Sequence, residues 1–172
     1  KLPVQIPRRP GGQPGTYLQP PLGADDQGIS SVDPTPLYPF GHGSSYTTFA
    51  VSGLQISADE VPTDGEFTVS VSLRNTGARA GDEVVQLYLH DVIAQVTRPV
   101  RQLVGFARVH LEAGAAADVR FTVHADRTAF TGRDLQRIVE PGDVEVMVGT
   151  SAAELPCHGV VRLTGAVRPV GH

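Results

Sequence analysis

Several residue types are scarce in this chain of 172 residues, which has no tryptophan, one cysteine and one methionine. A single cysteine excludes an intrachain disulfide and a thiolate metal cluster, because each needs at least two. It fits a cytosolic protein and a secreted bacterial-type protein equally, so the compartment stays open. No apolar run approaches the roughly 20 residues that span a bilayer as a helix. The sequence therefore predicts no membrane partner.

Charge is also sparse and mixed in sign, with 14 Lys and Arg against 18 Asp and Glu and a net charge of -4. Nucleic-acid backbones are bound by clustered Lys and Arg, and the chain has no basic stripe, so it predicts no nucleic-acid partner. Hydrophobic residues make up 40% of the sequence, which is enough for a folded domain with a sizeable core. The chain begins at Lys1 without a methionine or a leader segment, so we expect it to be cut from a longer protein.

Residues that bind metals or act as nucleophiles form no known pattern here. Cys157 precedes His158, but neighbouring side chains of a strand point to opposite faces, so we expect Cys157 to be buried and unreactive. The six histidines lack the HxH and HExxH spacings that hold zinc. His110 and His124 lie on the polar phase of their strands, so we expect them to face solvent. His90 lies beside Asp91 at a strand end, and we expect it to make a structural hydrogen bond. The sequence predicts no metal site and no cofactor.

Three pairs of carboxylates are close enough in sequence to be tested as catalytic pairs. They are Asp25 with Asp26, Asp82 with Glu83, and Glu140 with Asp143. The first pair lies in an irregular segment that would not fix a separation. The other two border turns, so we expect them to cap those turns or to begin a strand in solvent, pointing in different directions. The sequence predicts no catalytic residue.

Prolines divide the chain into an arm and a domain. Nine of the 14 prolines precede Phe49, and residues 1–46 show no helical period. Leu2, Val4 and Ile6 alternate with other residues and favour a short edge strand, because the flanking prolines cannot donate to a ladder. Residues 8–36 are typical of an extended Pro/Gly-rich segment, partly polyproline II.

From about residue 47 to residue 172, apolar and polar residues alternate in about seven segments separated by turn residues. We expect each segment to be a strand with one buried face, and no helix longer than one turn, within 126–132. This pattern predicts an all-β protein built as an antiparallel β-sandwich. The predicted apolar faces are Phe67, Val69, Val71 and Leu73; Val85, Leu87 and Leu89; Ala107, Val109 and Leu111; Val119, Phe121 and Val123; Val144, Val146 and Val148; and Val161 and Leu163.

Six short blocks, in order, resemble the C-terminal part of glycoside hydrolase family 3. Residues 1–8 (KLPVQIPR) are similar to the last strand of the family's α/β sandwich domain. Residues 36–49 (PLYPFGHGSSYTTF) are similar to the family's linker motif, although His42 replaces the usual aromatic residue and Ser44 the usual leucine. The other matching blocks are residues 75–89, 97–106, 140–142 and 146–151.

The resemblance implies an immunoglobulin-like, fibronectin type III-like sandwich at residues 47–172, preceded by an arm and linker at residues 1–46. Family members are retaining β-glucosidases and β-xylosidases, which use two carboxyl groups about 5–5.5 Å apart. In the family these are an Asp on a barrel domain and usually a Glu on the α/β sandwich domain. Both motifs lie upstream of the region that matches, so no catalytic residue is carried over. The expected partners are those upstream catalytic domains, and a homo-oligomer stays open.

The resemblance leaves four residues as candidates for an interface between domains. Tyr38, Phe40 and Tyr46 lie in the linker motif, and Gln86 is expected on the face of its strand opposite Val85 and Leu87. The rings could stack on a sugar or pack on a neighbouring domain, and the absence of Trp favours packing. Two alternatives to a structural domain remain, a free-standing carbohydrate- or protein-binding module and a passive spacer. A large exposed apolar face would indicate a structural domain that has a partner.

Overall fold

The computed structural model describes residues 1–12, 15–21 and 33–171. Within them, two 3-10 turns span Pro10–Gly12 and Ala125–Thr128, and no helix is long and apolar enough to cross a membrane. The strands are β1 Ile6–Pro7, β2 Pro36–Tyr38, β3 Phe49–Ile56, β4 Glu60–Pro62, β5 Glu66–Asn75, β6 Gly81–Asp91, β7 Gln102–Leu111, β8 Ala116–His124, β9 Phe130–Thr131, β10 Arg137–Val139, β11 Gly142–Gly149, β12 Cys157–Thr164 and β13 Arg168–Pro169.

Two sheets form the sandwich. One has five strands in the order β4-β12-β11-β6-β7, and the other has three in the order β3-β5-β8. Every pairing within them is antiparallel except that between β12 and β4. Two smaller sheets are attached to the sandwich, one of three strands in the order β13-β10-β9 and one of two strands, β1-β2. The predicted antiparallel β-sandwich is confirmed.

The core between the sheets is formed by the predicted alternating residues. The β5 face from Phe67 to Leu73 and the β6 residues Val85 and Leu87 are all buried. The inward residues of β11 and β12 pack into the same cluster. Side chains of a strand alternate between its two faces, so a period of two places one apolar face of each strand between the sheets.

The prediction of one buried face per strand is wrong for β6 and β11. On the outer side of the five-stranded sheet, Gln86, Tyr88 and Met147 are also buried. They lie in a second, smaller cluster in which Tyr17 and Phe40 pack against the sheet. The arm therefore covers part of the outer face, and this cover is why polar-phase positions of β6 are shielded from solvent.

The arm folds back on itself before it reaches the sandwich. Strand β1 pairs antiparallel with β2, with Ile6 opposite Tyr38. The ladder is extended by hydrogen bonds from Leu2 N to His42 O (2.7 Å) and from Gly41 N to Leu2 O (2.9 Å). The predicted strand around Leu2, Val4 and Ile6 is thus confirmed in part, since its regular portion is limited to Ile6–Pro7. We call the paired segments 1–7 and 36–42 the ribbon.

Candidate functional site

The site of interest is the contact between the arm and the outer face of the five-stranded sheet. The rings of Tyr17 and Phe40 stack with centroids 3.9 Å apart and an interplanar angle of 15°. Tyr17 meets the ring of Tyr88 edge-on, at 6.4 Å and 80°. Edge-to-face and offset-stacked pairs are favourable geometries for aromatic rings. Phe40 is further held by a hydrogen bond from Ala152 N to Phe40 O of 2.9 Å.

Gln86 lies at the centre of this contact and is only 3% exposed. Its Nε2 donates to the carbonyl oxygens of Gly41 (3.1 Å) and Thr150 (2.6 Å). Its Oε1 accepts a 2.6 Å hydrogen bond from the Tyr88 hydroxyl. The sequence placed Gln86 correctly on the outer phase of β6, and there the linker of the same chain covers it. Burial also raises the pKa of Tyr88, which keeps its hydroxyl protonated as a donor.

Gly41 allows the linker to approach this close. Its φ is +77°, a left-handed conformation that L-residues with side chains rarely adopt. A Cβ at this position would overlap the Gln86 side-chain amide. The glycine therefore meets two requirements at once, the turn of the linker and the hydrogen bond to the sheet.

A buried ion pair fixes the start of the ribbon. Lys1 Nζ lies 2.6 Å from Glu83 Oε1, and both side chains are largely shielded from solvent. The expectation that Glu83 begins its strand in solvent is therefore wrong, because the ribbon covers it. Asp82 does face solvent and bonds to Arg108 (2.8 Å) and His110 (3.1 Å). Those two hydrogen bonds lower the pKa of Asp82.

The four interface candidates divide into an inner and an outer pair. The inner pair is Phe40, which packs against the sheet, and Gln86, which lies on the sheet and bonds to the linker. Tyr46 is 95% exposed and Tyr38 is 45% exposed, with the Tyr38 ring stacked on His42 at 5.1 Å. Sequence reasoning missed Tyr17, Tyr88 and Lys1 as parts of this contact. A large aromatic residue on the polar phase of β6 was the available signal for Tyr88.

Comparisons with known proteins identify the region. A family model described as the fibronectin type III-like domain matches residues 83–152. A β-xylosidase of Formosa agariphila is 40% identical over 154 residues, which cover 88% of this chain and 21% of that protein. A periplasmic β-glucosidase of Salmonella typhimurium is 42% identical over 120 residues, covering 70% and 16%. The chain belongs to glycoside hydrolase family 3, and it matches the C-terminal region of the enzymes of that family.

Solved structures of β-glucosidases carry the same architecture as this family 3 region. A β-glucosidase from Erythrobacter marinus superposes with a TM-score of 0.88 at 40% identity, covering 95% of this chain and 22% of that one. A β-glucosidase from Listeria innocua in complex with glucose gives 0.85 at 30% identity, covering 95% and 24%. The chain spans about a fifth of the length of the curated relatives it matches.

The remaining candidate carboxylate pairs of this family 3 region are Asp25 with Asp26 and Glu140 with Asp143. Asp25 and Asp26 lie outside the described residues. Glu140 accepts hydrogen bonds from Gln95 N (3.1 Å) and Nε2 (2.8 Å). Asp143 instead accepts from Arg162 Nη1 at 2.9 Å. These two carboxylates are thus engaged in separate structural contacts.

The other predicted residues also have structural roles. Cys157 is buried and its neighbour His158 is exposed, as predicted from their alternation on a strand. Burial raises the pKa of the Cys157 thiol, which disfavours the reactive thiolate. His110 and His124 are exposed, as predicted. The predicted structural bond at the end of β6 joins His90 Nδ1 to Glu145 Oε2 at 3.0 Å.

Proposed function

We propose that this chain is the non-catalytic structural domain of a β-glycosidase whose catalytic domains precede it in one polypeptide. The whole enzyme would remove terminal non-reducing β-D-glucosyl or β-D-xylosyl residues, the two activities that its relatives' names carry. In this proposal residues 1–46 are the arm and linker that lead out of the catalytic part, and residues 47–172 are the fibronectin type III-like domain.

The observation that carries the proposal is the two-sided ribbon. Its inner side is bonded to the sheet through Gln86, Phe40 and Lys1. On its outer side, Ile6 lies opposite Tyr38, and the side chains of Val4, Ile6 and Tyr38 are all exposed. Contiguous exposed apolar residues indicate a surface made for a partner. The partner we propose is the catalytic part of the same enzyme.

The proposed mechanism is mechanical and has no chemical step. Three contacts of different kinds fix the ribbon to the sheet: a buried ion pair, an amide hydrogen bond and the packing of Phe40 against the cluster around Tyr88. A ribbon held in this way presents Tyr38 in one orientation, and Tyr46 follows it on the exposed stretch before β3. Rigid presentation lowers the entropy lost when two surfaces associate. The domain would thereby set the position of the catalytic part and stabilise it.

A graft into a related enzyme tests the proposal. The counterpart region of the Erythrobacter marinus β-glucosidase would be replaced by this chain, and a truncated enzyme without that region would be the control. We expect the graft to exceed the truncated enzyme in aryl β-glucoside hydrolysis and in thermal midpoint, because the ribbon face is covered again. Equal behaviour of the two proteins would contradict the proposal.

The isolated chain distinguishes the main alternative, a free-standing carbohydrate-binding module. We expect it neither to hydrolyse aryl β-glucosides or β-xylosides nor to be retained on insoluble glucan or xylan. Its stacked rings Tyr17 and Phe40 are already packed against Tyr88 and are not available as a sugar platform. Retention that is lost on replacing a surface tyrosine would favour the binding module.

A further inference from the structure

Hydrogen bonds join two loops at one end of the sandwich into one unit, which we call the tip. It consists of residues 92–98, after β6, and of the β9–β10 hairpin, residues 130–139. Gln95 connects them: its Oε1 and backbone oxygen accept hydrogen bonds from Arg133 N and Nε, both 2.9 Å long. Gln95 also donates twice to Glu140, at the base of the hairpin. Such a network holds both loops in one arrangement.

Arg98 secures the underside of the tip. Its guanidinium lies 4.6 Å from the centre of the Phe130 ring and donates a 3.1 Å hydrogen bond to Thr128 O. Its Nε lies 3.9 Å from the Asp91 carboxylate, and both side chains are mostly buried. The loop after β6 is therefore attached to the hairpin from below as well as from the side.

Each of the two loops of the tip exposes one large aliphatic side chain that the core of the fold does not bury. Ile93 is 80% exposed and Leu135 is 84% exposed. Leu135 has a φ of +64°, the left-handed region that is unfavourable for residues with a Cβ. A glycine there would remove both the strain and the exposed apolar surface. The stability of this domain alone gives no reason for a leucine at that position, so a contact outside the domain would explain it.

Charge around the tip is predominantly positive. Arg127, Arg133 and Arg137 are exposed, and no carboxylate of the described residues lies within ion-pair distance of them. Asp134 is an exposed carboxylate on the same hairpin. A two-fold contact between copies would bring the same patch of both together, and like charges facing each other are unfavourable. This charge pattern argues against a second copy of the chain and for a partner that carries carboxylates.

We propose that the tip is a second docking surface for the catalytic part of the same polypeptide, in which an apolar patch edged by Asp or Glu covers Ile93 and Leu135. The inference rests on the proposed function. About four fifths of each curated relative lies outside the matched region, so most of such an enzyme is available as the partner. The arm also leads from the ribbon to the tip. Val100 N donates to Gln19 O at 2.9 Å, and Pro21 lines the crevice beside Ile93.

The test uses the graft described above with Ile93→Asp and Leu135→Asp. Val160→Asp is the matched control, since Val160 is an exposed aliphatic residue on β12 and not on the tip. We expect each tip variant to lower the thermal midpoint of the graft by at least about 2–4 °C relative to the control. In the isolated chain the same variants should leave the midpoint unchanged. Tip variants that match Val160→Asp in the graft would overturn the inference.

Leu135→Gly provides a second test, because a docking residue and a purely structural residue should change the thermal midpoint differently in the isolated chain and in the graft. In the isolated chain it relieves the left-handed strain, so the midpoint should stay or rise. In the graft it removes a docking side chain, so the midpoint should fall. Equal shifts in both proteins would overturn the inference, as would sedimentation showing a dimer of the isolated chain that Ile93→Asp abolishes. If the unmodified graft is no better than the truncated enzyme, the proposed function itself fails, which is a different result.

Discussion

The side-chain amide of Gln86 donates a hydrogen bond to the carbonyl oxygen of Gly41, 45 residues earlier in the chain. This bond joins the middle of the longest strand, β6, to the linker. It lies on the face of β6 opposite the main core, so the strand stabilises the sandwich with one face and holds the arm with the other. Variants at this contact therefore report on the outer face and its attachment to the arm, and not on the main core.

Gly41→Ala should destabilise the chain by about 1–3 kcal/mol, because alanine is strained at positive φ and its Cβ would push the Gln86 amide away. Chemical denaturation followed by circular dichroism would measure the change. Gly11→Ala is a suitable control, since a Cβ there meets open space. A loss at Gly41 no larger than at Gly11 would mean that the linker can move without cost.

Gln86→Ala should lower the free energy of unfolding by about 2–4 kcal/mol. The change leaves the carbonyls of Gly41 and Thr150 and the hydroxyl of Tyr88 without their partner in a buried site. Gln55→Ala, on the exposed side of β3, should change stability by no more than about 0.5 kcal/mol. Urea unfolding of the two variants side by side makes the comparison, and equal midpoints would contradict the structural role of Gln86.

Alternation in the sequence was sufficient to predict the inner faces, and it failed at the outer face for an identifiable reason. A period of two shows which residues share a face, but the second cover over Gln86 and Tyr88 comes from Tyr17 and Phe40, far away in sequence. Such long-range cover leaves no periodic signal. Glu83 was misjudged for the same reason, because its partner Lys1 lies in the arm.

The tip was harder still to predict. Nothing in the sequence around Leu135 indicates a left-handed backbone, since glycine or asparagine is the usual residue in that conformation. The hydrogen bonds of Gln95 join two loops whose separation in the chain gives no pattern. The exposure of Ile93 is likewise set by the loop conformation and not by a strand period.

Leu87→Ala should destabilise the domain by about 2–4 kcal/mol, because it opens a cavity between the two sheets where Leu87 is fully buried. The exposed Val160→Ala is the control and should stay within about 0.5 kcal/mol of the wild type. Thermal and urea unfolding would both show the difference. A small loss at Leu87 would mean that the core can repack around the missing atoms.

A chain beginning at residue 47 should still fold cooperatively, since the main core is made only of residues from the sandwich. Its stability should be lower than that of the whole chain, because removal of Tyr17 and Phe40 exposes Tyr88 and Met147. Near-ultraviolet circular dichroism would report the fixed tyrosines, and dye binding would report the new apolar surface. A noncooperative transition would show that the arm is part of the folding unit.

Asp91 should make stability fall as pH rises from about 4 to 6. Burial raises the pKa of Asp91 to about 6; the charge of Arg98 opposes this shift, Glu140 adds to it, and His90 opposes it. The unfolded value is about 3.9. Between these two values the folded chain holds a proton that the unfolded chain has lost, so the free energy of unfolding decreases with rising pH and levels off above about 6. The full change is about 2–3 kcal/mol, at about 1.4 kcal/mol per pH unit.

Asp91→Asn should remove this slope, because asparagine does not titrate. The measurement is urea unfolding at several pH values from 4 to 7.5, taken as the difference between wild type and variant so that the other carboxylates cancel. Arg98 adds no slope of its own, since it stays protonated throughout this range and its attraction to the ionised Asp91 is already contained in the pKa of Asp91. Asp82→Asn is the control: hydrogen bonds from Arg108 and His110 lower the pKa of Asp82, so its contribution is lost only below about pH 4. A difference between wild type and Asp91→Asn that stays flat from pH 4 to 6 would show that the Asp91 carboxylate reaches solvent, and that the loop above it opens freely.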